Sequence, residues 1–289
     1  MWCLTASAGN TTSVKHLGDS KYVIASGDLS MTIDGGAGGR ILSFKHKKNE
    51  IISQLQYPES FGSTFWTSPQ KEWNWPPVPE YDKQPYVCEE RPTSVYMTSQ
   101  ASAKHKYAIC KEFAVDPADN AFVITYTIIN VSFEPRSVAP WEVTRVINND
   151  GLVFFDAAVD QITTGGGIDD GLNFESAFDV AWYATDVADK NRKVQSDGKG
   201  WLAYASNGLL LVKKFSDIDP KLTAPNESEI EVYVNQGKTH IELESQGAYT
   251  LLMPGQQTTW TVRWYLMPYK LKKSIPSQDL LNKVRSIVK

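Results

Sequence analysis

Residues 240–246 read His240, Ile241, Glu242, Leu243, Glu244, Ser245, Gln246. In an extended strand, successive side chains point to opposite faces. His240, Glu242, Glu244 and Gln246 therefore share one face, and Ile241, Leu243 and Ser245 share the other. Unpaired charge is too costly to bury in an ordinary core. The acidic face is either solvated surface or the floor of a polar site, where its carboxylates and imidazole are the groups that titrate.

A second run of mixed chemistry is Pro140, Trp141, Glu142, Val143, Thr144, Arg145. Alternation puts Glu142 and Thr144 opposite Trp141, Val143 and Arg145, so only one of the two sets can face a given pocket. An ion pair that includes Glu142 or Arg145 is the structural alternative to a site. Arg263 shares a strand face with Thr261 and Tyr265. It is placed either to bind a ligand hydroxyl or acid, or to pair with Glu244 on a neighbouring strand.

Trp66, Trp73 and Trp75 lie among Pro58, Pro69, Pro76, Pro77, Pro79 and Pro85. Prolines at this density break regular elements, and a long ordered loop of this kind is usually functional. The segment 57–87 is expected to be a loop lying over one face. Its three indoles either form a platform on which a sugar ring stacks or plug an open edge of the fold. Trp260 and Trp264 alternate with Val262 and Leu266 and belong to a core.

The elements that must position these residues are strands. Period-two patterns with turn signals between them predict strands at 22–25, 29–33, 41–45, 94–99, 107–113, 121–130, 138–146, 152–155, 181–183, 201–204, 209–215 and 230–235. Gly35, Gly36, Gly38 and Gly39 form a glycine turn rather than a phosphate loop, because a strand follows and no Gly-Lys-Ser/Thr does. Leu280, Leu281, Val284 and Ile287 fall on one stripe of a short C-terminal helix. The class is all-β, a large antiparallel sandwich or barrel. Residues 1–19 are a flexible lead-in and residues 20–289 a single domain.

The 289 residues include nine Trp, thirteen Tyr and eleven Phe, an aromatic load that suits either a β core or a sugar-stacking surface. The net charge is -4 with no basic block, which excludes nucleic acid as an expected partner. No apolar run reaches the ~20 residues of a membrane span. No His/Asp/Glu cluster has metal-ligand spacing, and the acidic group considered for calcium is Asp160 with Asp169 and Asp170. No metal or cofactor is expected. Cys88 and Cys110 can be joined by a single bridge or remain thiols. The triplets starting at Asn130 and Asn226 match glycosylation sequons. The first thirteen residues lack the apolar segment of a signal peptide, so the expectation is a cytoplasmic protein, or a periplasmic or secreted one whose export signal has been removed.

Three segments in order resemble the aldose 1-epimerases of the galactose mutarotase-like superfamily. Gly38-Gly39-Arg40-Ile41-Leu42-Ser43-Phe44 resembles their early G-x-R-I-x-S strand. Residues 122–130 resemble their Y-T-(V/I)-x-N strand. Glu244-Ser245-Gln246, followed by Leu252-Met253-Pro254-Gly255-Gln256, resembles their late E-T-Q … L-x-P-G-E segment. The Trp66 to Pro76 loop and the Pro140 to Arg145 run are more similar still to an uncharacterised bacterial mutarotase-like family.

The resemblance implies a large antiparallel β-supersandwich with a sugar site on its concave face. Glu244 matches the family's base, which takes the anomeric proton. The family's acid, a His in an N-H-x-Y motif, has no counterpart here. Epimerase chemistry would then need Glu142 as the acid, since Arg145 cannot donate a proton near neutral pH. His240 lies ~13 Å from Glu244 along an extended strand and would line the rim. The implied ligand is a mono- or oligosaccharide. Glu244 and Glu142 are the candidate catalytic pair. Trp66, Trp73, Trp75, Arg145, Arg263, Glu242 and His240 are the candidate binding residues. A glycan-binding module without catalysis, and glycoside hydrolysis or polysaccharide elimination, are the alternatives, because a fold alone does not choose a chemistry.

Overall fold

The computed structural model describes residues 11–165, 168 and 171–289. Asp169 and Asp170, considered for calcium, lie outside the described residues, as do residues 1–10 of the expected lead-in. The remainder of that lead-in includes a strand, Thr12–Gly18, which pairs antiparallel with Lys21–Ser26.

Two large antiparallel sheets stack face to face. The first runs in the order Thr12–Gly18, Lys21–Ser26, Leu29–Asp34, Arg40–His46, Ser63–Ser68, Arg136–Ile147, His240–Gln246, Ile230–Val234, Arg192–Ser196, Thr163–Thr164. The second runs from Glu175–Ala177 through Val180–Ala184, Leu152–Phe155, Trp201–Ser206, Leu209–Lys214, Gln257–Pro268, Ala121–Asn130 and Tyr107–Asp116 to Ser94–Thr98 and Val87–Glu90. This is the expected supersandwich. The apolar half of each alternating strand meets its counterpart from the other sheet, with Ile241, Leu243, Val232 and Phe65 on one side and Ile124, Val262, Leu211 and Trp264 on the other, all buried.

The helix Gln278–Val288 covers the outer face of the second sheet. Ser277 caps its start by accepting from the Leu280 amide, the role expected of an N-terminal serine. Leu280, Leu281 and Val284 are buried against Trp182, Trp201 and Tyr265, and Ile287 is partly buried beside them.

The segment 57–87 departs from the expected loop. Its proline-free centre forms the strand Ser63–Ser68, every residue of which is buried between two neighbours of the first sheet. The prolines lie outside this strand, where no ladder hydrogen bond is lost. Pro79–Asp82 is a short helix with Pro at its first position, where no amide donor is needed.

Cys88 and Cys110 are free thiols. Asn130 is buried and donates to the Glu134 and Leu252 carbonyls, so its sequon presents no free amide. Among the described residues, no helix is long and apolar enough to cross a membrane.

Candidate functional site

The strand Arg136–Ile147 pairs with Ser63–Ser68 on one side and His240–Gln246 on the other. Residues directly opposite in a ladder face the same way. One row is therefore Trp66, Trp141 and Gln246. The next is Thr64, Val143, Glu244 and Glu231. A third is Arg145, Glu242, Tyr233 and Lys193. All three rows face away from the second sheet. Glu242, Glu244 and Lys193 from these rows floor a pocket of about 470 Å³, walled by Trp66, Trp75, Trp141, Tyr57 and Tyr233 and closed in part by Gln70, Asn191 and Asn235. The size suits a small-molecule ligand.

The floor is tightly wired. Trp141 Nε1 donates to Glu244 Oε2 at 2.9 Å, and Lys193 Nζ donates to the same oxygen at 3.3 Å. Lys193 makes its closer ion pair with Glu231. Gln246 Nε2 donates to Glu231 Oε1 at 3.0 Å. Arg145 Nε lies 2.7 Å from Glu242 Oε1, and His240 Nε2 lies 3.7 Å from the same oxygen. Glu244 Oε1 and both ring nitrogens of His240 are buried without a hydrogen-bond partner, and both residues line the pocket.

The wiring separates the carboxylates electrically. Burial alone would raise Glu242, but Arg145 and then His240 outweigh it and hold the carboxyl down at about 2. Burial pushes Glu244 up to about 8, against the pull of Lys193 and with help from Glu231 and Glu242. Burial likewise lifts Glu231 to about 7, opposed by Lys193. Lys193 is held above its ordinary value, because Glu231 and Glu244 outweigh its own burial. One cation thus serves two carboxylates, and near neutral pH the pair holds a proton that a solvated glutamate would have lost.

The aromatic wall is ordered from below. Trp66 meets Trp141 edge to face at 5.2 Å, and its Nε1 donates to Asp82, which is paired with Arg40 at 3.2 Å. Trp75 stands edge-on to Trp66 at 6.2 Å with 63% of its surface exposed, at the pocket mouth. Trp73 does not line the pocket. It is buried behind Trp66 and Trp141, with Nε1 donating to the Thr67 carbonyl.

The candidates therefore divide. Glu244, Glu242, His240, Trp66 and Trp75 line one pocket, with Arg145 bound to its floor. Glu142 does not. It faces the other sheet, fully buried, where Lys213 Nζ lies 2.9 Å from its Oε1 and Tyr126 and Trp264 donate to it. Its position follows from alternation with Trp141, and it cannot act as an acid in the pocket. Arg263 lies in the second sheet and pairs with Asp116 at 2.7 Å and Asp119 at 2.8 Å, remote from Glu244. Lys193 and Tyr233 are additional lining residues, and Glu231 lies against Lys193 beside them. Glu231 and Tyr233 alternate with Ile230, Val232 and Val234, the same signal that marks residues 240–246; Lys193 carries no such signal.

No protein-family model and no curated protein matches this sequence. The fold does have solved counterparts. An aldose 1-epimerase candidate from Escherichia coli K12 is 11% identical, with a TM-score of 0.62 over 90% of this chain and 100% of that one. A galactose mutarotase-like protein from Lactobacillus casei is 11% identical, with a TM-score of 0.62 over 86% and 100%. One from Clostridium acetobutylicum is 10% identical, with a TM-score of 0.58 over 90% and 99%. The chain has the galactose mutarotase-like fold.

Proposed function

We propose that this chain binds a mono- or oligosaccharide in the Glu244 pocket and does so without interconverting its anomers. The observation that carries the reading is Glu244 itself: a wholly buried carboxylate, one oxygen satisfied by Trp141 and Lys193 and the other unpartnered, in a pocket walled by indoles. Indole faces complement the apolar faces of a pyranose, and a buried carboxylate accepts from its hydroxyls. The solved counterparts of this fold carry names from sugar chemistry, which points the same way.

Anomer exchange requires an acid and a base on opposite sides of one ring. Glu244 can act as a base, but the cationic and acidic candidates among the described residues are poorly placed to be its acid partner. Lys193 is bound to Glu244 itself and is held above its ordinary value. His240 is ~13 Å along the strand. Glu142 faces the core.

The test is a calorimetric screen of mono- and oligosaccharides, followed by anomer-exchange NMR on each binder. Binding without accelerated exchange is the expected result. Exchange that Glu244→Gln abolishes would replace this reading with the epimerase one. Failure of every sugar to bind would end the carbohydrate reading.

A further inference from the structure

The charge balance on the pocket floor points to a particular kind of sugar. Among the described residues, three buried carboxyl groups meet at or just beneath the floor, Glu231, Glu242 and Glu244, facing two cations, Lys193 and Arg145, so that the proton kept by the Glu231–Glu244 pair stands where a third cation would. Arg145 is taken up by Glu242, and Lys193 makes its shorter contact with Glu231. Glu244 keeps only the longer side of a shared lysine and the Trp141 N–H, and its Oε1 receives nothing.

A neutral hydroxyl placed against Oε1 would supply a hydrogen bond but no charge. An ammonium would supply both, and charge-assisted hydrogen bonds are roughly twice as strong as neutral ones. The walls favour the same choice. Indole and phenol faces attract cations, and Lys193 Nζ already lies 5.1 Å from the Trp141 ring centre.

We propose, on the sugar-binding reading above, that the preferred ligand is an amino sugar with a free ammonium group, seated against Glu244 Oε1. The titratable and charged groups around that position are Tyr233, Lys193, Tyr57, and Glu242 and His240 on the same strand, all lining the pocket, with Trp141 from one neighbouring strand and Glu231 opposite Glu244 on the other. The arriving cation would favour the ionised form of the Glu231–Glu244 pair, so binding releases a proton.

The experiment is titration calorimetry at pH 6, where the sugar amine is charged. The probes are D-glucosamine and D-galactosamine, each compared with its N-acetylated form and its parent hexose. The expected result is that at least one amino sugar binds about tenfold or more tighter than both of its comparators, the scale of one buried charged contact. Repetition in two buffers of different ionisation enthalpy should show net proton release. Glu244→Gln should bring the three affinities to within about twofold of one another. The ligand comparison uses the unaltered protein and stands even if the variant does not fold. Neutral or N-acetylated sugars that bind as well as the amines would overturn this inference and leave the sugar pocket intact. No binding by any sugar would overturn both.

Discussion

Glu142 and Glu244 sit on adjacent strands, one register step apart, and face opposite sides of the same sheet. Glu142 is opposite Ser245, and Val143 is opposite Glu244. Glu244 thus reaches the pocket while Glu142 enters the space between the sheets, where Lys213, Tyr126 and Trp264 enclose it. The two carboxylates read as a catalytic pair occupy separate environments.

Removal of one partner from the Glu142–Lys213 pair should therefore cost stability and leave recognition alone. Both side chains are 0% exposed. Breaking such a pair leaves a buried charge uncompensated, a loss of about 3–5 kcal/mol. Lys213 also donates to Thr144 and the Leu243 carbonyl, and those hydrogen bonds are lost with it. Lys213→Met should lower the urea midpoint by a corresponding amount, and Glu142→Leu with Lys213→Met should recover much of it. Sugar affinity of whichever variants fold should match the parent protein. A Glu142→Gln variant that folds but loses binding would contradict this division of labour.

The pocket carboxylates impose opposite pH dependences. Glu231 and Glu244 are raised to about 7 and 8, so the folded state binds protons that the unfolded chain has released. Their contribution is fully present below the unfolded glutamate value of ~4.3 and is lost as pH rises through the raised values. Melting temperature should fall between about pH 5 and pH 8. Glu244→Gln should flatten that slope. Glu242 is depressed to about 2, so its contribution is present above the unfolded value and lost as pH falls toward 2. Glu242→Gln should weaken the acid limb only. A melting temperature flat from pH 5 to pH 8 would show that the Lys193 cluster titrates normally.

Arg263 separates sheet from site. Its guanidinium holds Asp116 and Asp119, which close the turn between Tyr107–Asp116 and Ala121–Asn130. These are partly exposed groups, and exposed ion pairs contribute at most about 1 kcal/mol. Arg263→Ala should leave sugar affinity unchanged and shift the urea midpoint slightly. A tenfold loss of affinity in that variant would place the ligand elsewhere than the Glu244 pocket.

These contrasts also mark what the residues themselves disclosed. Period-two alternation at 240–246 grouped His240, Glu242, Glu244 and Gln246 correctly, because strand geometry is local. Alternation also divided Glu142 from Trp141 and Arg145. It could not say which set met the pocket, since that depends on which side of the sheet the second sheet covers. The same gap misplaced Arg263, whose strand belongs to the other sheet. The strand Ser63–Ser68 was hidden by prolines on either side of it. Arg192–Ser196, with a single apolar residue in five, gave no periodic signal, and Lys193 went unnoticed with it.

Trp75 offers the sharpest separation of recognition from folding. Trp66 and Trp73 are buried, and both pack on Trp141. Truncation of either to Ala opens a cavity, at a cost of about 3–5 kcal/mol. Trp75 follows Asn74, whose backbone takes a left-handed φ of 61°, and its ring projects at the pocket mouth with 63% of its surface exposed. Little packing is lost when it is cut back. Trp75→Ala should melt within a few degrees of the parent protein, yet bind sugar roughly tenfold more weakly, as expected for the loss of one stacking face. A bound sugar should also perturb the fluorescence of the parent protein, and Trp75→Phe should reduce that change while it keeps most of the affinity. Equal affinity in Trp75→Ala and the parent would remove the indole at the mouth from the binding surface and leave recognition to the Glu244 floor alone.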